Sequence, residues 1–410
     1  MEFLKSVVKK YTETSLIIRI VIGLVAGAIL GRTMTGWTWI GIFGSMFVGA
    51  LRAVAPVLVF VLIISALSNG QSKLDSKFGL VLFFYMFSTF LAAAAAVAAS
   101  FVFPVTMRLG EAAQSDSVPQ NVGEVLRNLL LKMVENPVSA LVNGNYIGIL
   151  FWAVVFGIAL KMAGEGTKKI MQDLADAVSK VVRWVIACAP FGILGLMFSA
   201  VASSGSEIFA SYGRLVALLV GTMLFTALVI NPLIVGLLLR HNPYPLVFRC
   251  LRASGITAFF TRSSAANIPV NMELCKSLGL DEDLYSVSIP LGSTINMDGA
   301  AVTITIFSLV AAFTTGVSVT LPMAIFLSIV ATFSACGTSG VAGGSLMLVP
   351  LGCSLFGISN DIAMQLVGVG FIISVIQDSL ETALNSSGDV LFTATAEFID
   401  WKKHGKKLPL

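Results

Sequence analysis

Apolar residues gather along this chain into blocks long enough to cross a bilayer, separated by short polar breaks. The blocks at 16–31, 37–67, 78–103, 146–162, about 181–201, 214–239, 285–313 and 361–395 predict eight transmembrane helices. The one substantial hydrophilic segment lies at 105–145, and the helix at 181–201 follows an amphipathic run at 164–180. Two further apolar stretches do not fit this scheme. The stretch at 251–280 is interrupted by Thr261-Arg262-Ser263-Ser264 and by Asn267-Ile268-Pro269, and the stretch at 321–356 by a Gly/Ser run from Gly337 to Ser345. Each arm is too short to span and each tip too polar to face lipid, so both predict re-entrant helical hairpins held inside protein. The helix after each hairpin carries Asn close to Asp, first Asn296 and Asp298 within an interruption at 292–299, then Asn385 and Asp389. Hairpin plus broken helix thus occurs twice, at 251–313 and 321–395, which is the pattern of a transporter site at mid-membrane. The fold class is all-α integral membrane protein.

The last block holds the most informative residues. At about 100° per residue, Asp378, Glu381, Thr382, Asn385 and Asp389 fall within roughly one third of a helix circumference. On insertion scales a carboxylate inside a membrane helix costs about 2.5–3.5 kcal/mol. Three on one face persist only if cations, substrate amines or basic partners compensate them. The uncharged run at 368–375 leading into the stripe argues against a water-facing surface helix. A cation and amine site within the membrane is the expectation.

Composition agrees with that setting. Of 410 residues, 56% are hydrophobic and 12% charged, against about 25% charged in soluble domains. Lys and Arg cluster in alternate loops, at Lys5, Lys9 and Lys10, at Lys73 and Lys77, at Lys161, Lys168 and Lys169, at Arg240, Arg249 and Arg252, and after Trp401. The positive-inside rule then puts both termini in the cytoplasm. The first block shows no signal-peptide cleavage pattern and is expected to remain as a span, with Arg19 snorkelling from its cytoplasmic end. A net charge of +4 gives no reason to expect a nucleic-acid partner. Five cysteines without metal-ligand spacing, and only His241 and His404, exclude a cysteine–histidine metal centre or a His-dependent catalytic one. An intramembrane hydrolase would need a base beside Ser263 or Ser264, and no nucleophile elbow appears.

These motifs resemble the dicarboxylate/amino acid:cation symporter family, which includes the glutamate and neutral amino acid transporters. Thr261-Arg262-Ser263-Ser264 is similar to the family's serine-rich hairpin motif, and Asn296-Met297-Asp298-Gly299 matches its unwound-helix motif letter for letter. Asp378, Thr382, Asn385 and Asp389 reproduce the spacing of its last helix, and the resemblance covers nearly the whole chain. It implies a glutamate-transporter-like fold with inverted repeats, assembled as a homotrimer. A scaffold would come from about 16–67 and 146–203, and a moving transport domain from about 78–103 and 213–398. Carried over residue by residue, Asp378 would bind the substrate ammonium. Asn385 and the Arg262, Ser263 and Ser264 tip would take the α-carboxylate, and Val341 would close over it, with Thr382 beside. One sodium would sit among carbonyls of Gly292, Asn296 and Asn385 and the Asp389 carboxylate, and a second among carbonyls of Thr294, Cys336 and Thr338. Met297 and Asp298 complete the cation motif; hard cations prefer such oxygen cages.

The departures bear on substrate. Glutamate transporters place an arginine where this chain has Glu381 and a threonine where it has Ala300. An acidic side chain there would repel an acidic substrate in a desolvated pocket. A hydroxyl able to donate to Glu381 fits serine or threonine. The resemblance therefore implies sodium-coupled uptake of small neutral hydroxy amino acids, with Glu381 either reading the hydroxyl or pairing with Arg262. The rivals are a dicarboxylate symporter of the same fold and an ion channel. The tyrosine and threonine–serine that the family supplies from the third span fall on Thr89, Ala92 and Ala93, so a third sodium is not expected and Asp298 is protonated or paired instead.

Overall fold

Helix is the only regular structure among the described residues of the computed structural model, which are 14–68, 76–107, 109, 127, 130–205, 207–336 and 343–409. The apolar runs dictate this, because a backbone N–H in a bilayer finds no water and each segment must satisfy itself. Among these residues five helices are long and apolar enough to cross a membrane: Thr38–Ser65, Lys77–Val102, Ile208–Leu239, Glu282–Thr315 and Asn360–Lys403. Leu16–Thr33 is a further apolar helix, and Tyr146–Leu160 and Leu321–Ala335 are shorter ones. The block expected at 181–201 is not one straight span. Amphipathic Glu165–Ala187 continues through its first third, and the chain then bends by 53° into the helix that starts at Ala189. Pro190 explains the break. Without an N–H it fits the first turn of a helix but would remove a bond from the middle of one.

The helices pack in two sets. Gly41–Ser68 is the hub of the first and touches Tyr146–Leu160, Glu165–Ala187 and Ala189–Ser204, while Leu16–Thr33 lies along Ala189–Ser204. Gly23, Gly27 and Gly31 make a stripe where any Cβ would collide with the backbone of Pro190, Leu194 or Phe198. Lipid tails are as apolar as leucine, so helices in a bilayer associate through such close backbone approach. In the second set Ser76–Val102, Asp298–Thr315 and Asn360–Lys403 pack on one another. The fully buried Ala92, Ala93 and Ala96 allow the third span its close contacts there.

Both stretches flagged as hairpins are pairs of short helices. The first arm begins earlier than residue 251, as Tyr244–Cys250 runs through a π-helical turn at Leu251–Gly255 into Ile256–Thr261. Arg262 reverses the chain in the left-handed region at φ 52°, and Ser263 Oγ caps Ser264–Ser277 by accepting the Ala266 N–H at 3.2 Å. Asn267 and Asn271 then tie this second arm to Ser386 of the last helix, with Nδ2–Oγ distances of 2.8 and 3.1 Å. The other pair comprises Leu321–Ala335 and, beyond the tip, Gly344–Met347 and Val349–Ser354. Thr338 and Val341 lie outside the described residues.

The two helices that carry Asn and Asp turn out differently. Glu282–Ile295 and Asp298–Thr315 are separated by Asn296 and Met297 in non-helical conformations, whereas Asn360–Lys403 runs unbroken for 44 residues. The interruption read into both repeats is present in one. A break survives at depth only where side chains take over the freed groups. Thr89 Oγ1 accepts the Met297 N–H at 3.3 Å, and Asn385 Oδ1 accepts the Gly299 N–H at 2.7 Å. The third span supplies Thr89 and the last helix Asn385, and the last helix keeps its own ladder.

Candidate functional site

Asp378 lies where the first hairpin tip meets the last helix. Its Oδ2 accepts from both Nε and Nη2 of Arg262 at 2.7 Å, with side-chain exposures of 10% for Arg262 and 5% for Asp378. On the other side the Gly343 N–H donates to Asp378 Oδ1 at 3.3 Å, so residues next to both tips converge on one carboxylate. Thr382 Oγ1 donates back to the Asp378 carbonyl at 2.7 Å. Ser264 is buried at the start of its helix, where the first amides carry partial positive charge.

Glu381 does not pair with Arg262. Its Oε2 accepts from Thr303 Oγ1 at 2.8 Å, from Ser345 Oγ at 2.7 Å and from Gln377 Nε2. These three described donors all meet Oε2, so the protein fixes one oxygen of the carboxylate. Ala300 is fully buried one residue beyond Gly299 and brings no hydroxyl to this cluster. Thr303, Ser345 and Gln377 were not anticipated. Gln377 is one turn from Glu381 and Thr303 one turn from Gly299, so helical period places them on the right faces, but only packing brings the faces together.

The break in the helix forms the other end of the seam. Asn296 Nδ2 donates to the Asn385 carbonyl at 2.9 Å and to Asp389 Oδ1 at 3.1 Å, while Asp389 Oδ2 is buried with no partner among the described residues. Gly292 makes this approach possible, because a Cβ there would lie 2.9 Å from Asp389 Oδ1. Asn385 serves the break, with Oδ1 on the Gly299 amide and Nδ2 3.3 Å from Met297 Sδ. Cys336 Sγ lies 3.5 Å from the Ile295 carbonyl, which sets the end of Leu321–Ala335 beside the Thr294 region. Thr294 Oγ1 itself bonds back to the Leu291 carbonyl at 2.9 Å.

The third span contributes more than its sequence suggests. Ser88 Oγ and Thr89 Oγ1 donate to Asp298 Oδ1 at 2.8 and 3.1 Å, and the Tyr85 hydroxyl donates to the Asp389 carbonyl at 3.1 Å. On this span the side chains that reach Asp298 and Asp389 are Tyr85, Ser88 and Thr89, all before Ala92 and Ala93, which are apolar core. An alanine-rich helix gives little pattern by which to fix register along its axis. Asp298 also accepts from Asn231 Nδ2 at 2.9 Å, a contact from a helix with no other part in the site. Among the described residues no three His, Cys, Asp or Glu side chains group as a transition-metal site would require.

The sodium:dicarboxylate symporter family model matches residues 16–398 of the chain. The serine/threonine transporter SstT of Bifidobacterium adolescentis is 61% identical over 400 residues, covering 97% of this chain and 93% of the relative. The protein of the same description from Streptococcus thermophilus is 57% identical over 401 residues, covering 98% of this chain and 100% of its own length. That from Streptococcus agalactiae is 55% identical over 395 residues, at 96% and 98% coverage. With several membrane-length helices, a buried seam of carboxylates and relatives this similar from end to end, the chain belongs to the sodium:dicarboxylate symporter family and is a multi-pass membrane transporter.

Proposed function

We propose that this chain imports serine and threonine across the bacterial inner membrane by sodium-coupled symport. One observation carries the reading. Of the four carboxylates along the seam, only Asp378 has a cationic side chain at ion-pair distance among the described residues; Glu381, Asp389 and Asp298 are buried among neutral groups. A dicarboxylate would bring a further negative group beside Glu381 with no cation to meet it, at a cost of several kcal/mol. A neutral amino acid adds no net charge, and sodium supplies what the other end lacks. The relatives' description as serine/threonine transporters supports the same substrates.

In this reading the substrate ammonium takes the place of Arg262 at Asp378. The α-carboxylate settles at the N-terminus of Ser264–Ser277, near Ser263, Arg262 and the Asn385 amide. The substrate hydroxyl donates to Oε1 of Glu381, Thr382 lines the site, and Val341 covers it. Alanine would not supply that donor, which disfavours it. Sodium binds at Asp389 Oδ2 with carbonyls of Gly292, Asn296 and Asn385, at carbonyls of Thr294, Cys336 and Thr338, and at Asp298 with Ser88 and Thr89. The first packing set acts as a trimeric scaffold and the second as a transport domain that moves past it, with both termini cytoplasmic. The test is uptake by proteoliposomes across an amino acid panel, with and without an inward sodium gradient. Accumulation of serine and threonine only with the gradient, uninhibited by aspartate, is the expected result. Gradient-independent flux would favour a channel, and inhibition by aspartate a dicarboxylate carrier.

A further inference from the structure

Asp298 is fully buried and forms no ion pair with a described residue, yet its two oxygens are held differently. Oδ1 takes the two hydroxyls from Ser88 and Thr89, whose protons can rotate away when a cation arrives. Oδ2 is held by Asn231 Nδ2 at 2.9 Å, a planar donor with no such freedom. The other end of the same amide, Asn231 Oδ1, is buried and has no hydrogen-bond partner among the described residues. A buried acceptor left unmet is costly, and this one sits beside a buried carboxylate. The backbone is also specialised. A π-helical turn at Thr226–Ile230 immediately precedes Asn231, between the α-helical segments Glu207–Phe225 and Asn231–Leu239. One extra residue in a turn rotates the helix beyond it by ~100°, and such turns cluster at functional sites.

We propose that Asn231 is a positioning residue for sodium at Asp298. It fixes Oδ2 of the carboxylate and offers Oδ1 as a further oxygen of the set, so that the helix ending at Leu239 becomes a third wall of this cation site. The inference rests on the proposed reading of Asp298 as a sodium site. A residue of merely structural importance would disturb serine and sodium alike, whereas Asn231 acts on sodium alone.

The experiment measures sodium affinity without serine, by calorimetry on the purified full chain, and serine affinity at saturating sodium, for wild type, Asn231→Ala, Asn231→Leu and Asp298→Asn. Asn231→Ala is expected to weaken sodium binding about tenfold and to change serine affinity less than twofold. Asn231→Leu, nearly isosteric, gives the same result and decides the matter if the smaller side chain unfolds the protein. Sodium affinity within twofold of wild type in the folded variants overturns the proposal. If Asp298→Asn weakens sodium binding while the Asn231 variants do not, this inference alone fails. If Asp298→Asn also leaves it unchanged, the sodium reading of Asp298 fails with it.

Discussion

The two ends of the polar seam handle buried charge in opposite ways. At Asp378 a guanidinium from the hairpin tip supplies the counter-charge, and the pair is almost closed to solvent. Among the described residues, hydroxyls and amides alone meet the carboxylates at Asp389 and Asp298, and Asp389 Oδ2 has no hydrogen-bond partner. Burying an unpaired carboxylate is far more costly than burying a paired one. In the proposed reading the first end, already paired, exchanges Arg262 for a substrate ammonium, and the second end is completed by a cation from solution. Substrate and sodium would then enter by different physics, exchange in one place and filling in the other. Asn385, which touches both the break and Asp389 through Asn296, lies between them.

The sharpest way to break this contrast is Asp378→Asn. It strands Arg262 and removes the ammonium partner, and losing one member of a buried pair costs about 3–5 kcal/mol. Serine binding measured by calorimetry should fall by more than about a hundredfold while sodium binding persists. Next is Asp389→Ala, which should raise the half-saturating sodium concentration about tenfold or more, as expected when a cage loses its charged oxygen; equilibrium binding of labelled sodium reads this directly. Glu381→Gln sharpens the substrate end. With Thr303, Ser345 and Gln377 still in place, the serine-to-alanine preference in uptake competition should drop about fivefold, the worth of roughly 1 kcal/mol for one hydrogen bond. An untouched preference would make Glu381 a structural anchor for that cluster. The smallest effect belongs to Arg52, whose pair with Asp361 is half exposed, at 50% and 56%. Arg52→Ala should shift thermal stability by less than about 1 kcal/mol, which sets the exposed pair against the buried one.

Much of this is legible in the unfolded chain. Bilayer length and helical period mark the helices and place Asp378, Glu381 and Asp389 on one face, because both depend on spacing alone. The break at Asn296 and the turn at Arg262 are legible because their residues cannot pack against lipid. What spacing does not carry is axial register between helices. It gives no sign that Tyr85 and Ser88 reach Asp389 and Asp298 or that Gln377 and Ser345 meet Glu381, and it leaves Arg262 as an alternative partner for Glu381 when its partner is Asp378. The last helix reads as broken because its Asn and Asp mirror the first repeat. It stays whole because its side chains bond outward, to the break opposite, and its backbone loses nothing.

The most direct test of two differently built but coupled ends is serine affinity measured across a sodium titration, in wild type and in Asp389→Ala. If sodium completes the site that serine then uses, serine affinity must rise with sodium, and sodium affinity must rise by the same factor with serine. The account predicts a rise in the wild type and a titration displaced to higher sodium in Asp389→Ala. A serine affinity that does not change with sodium, or a midpoint that the substitution leaves in place, would contradict it.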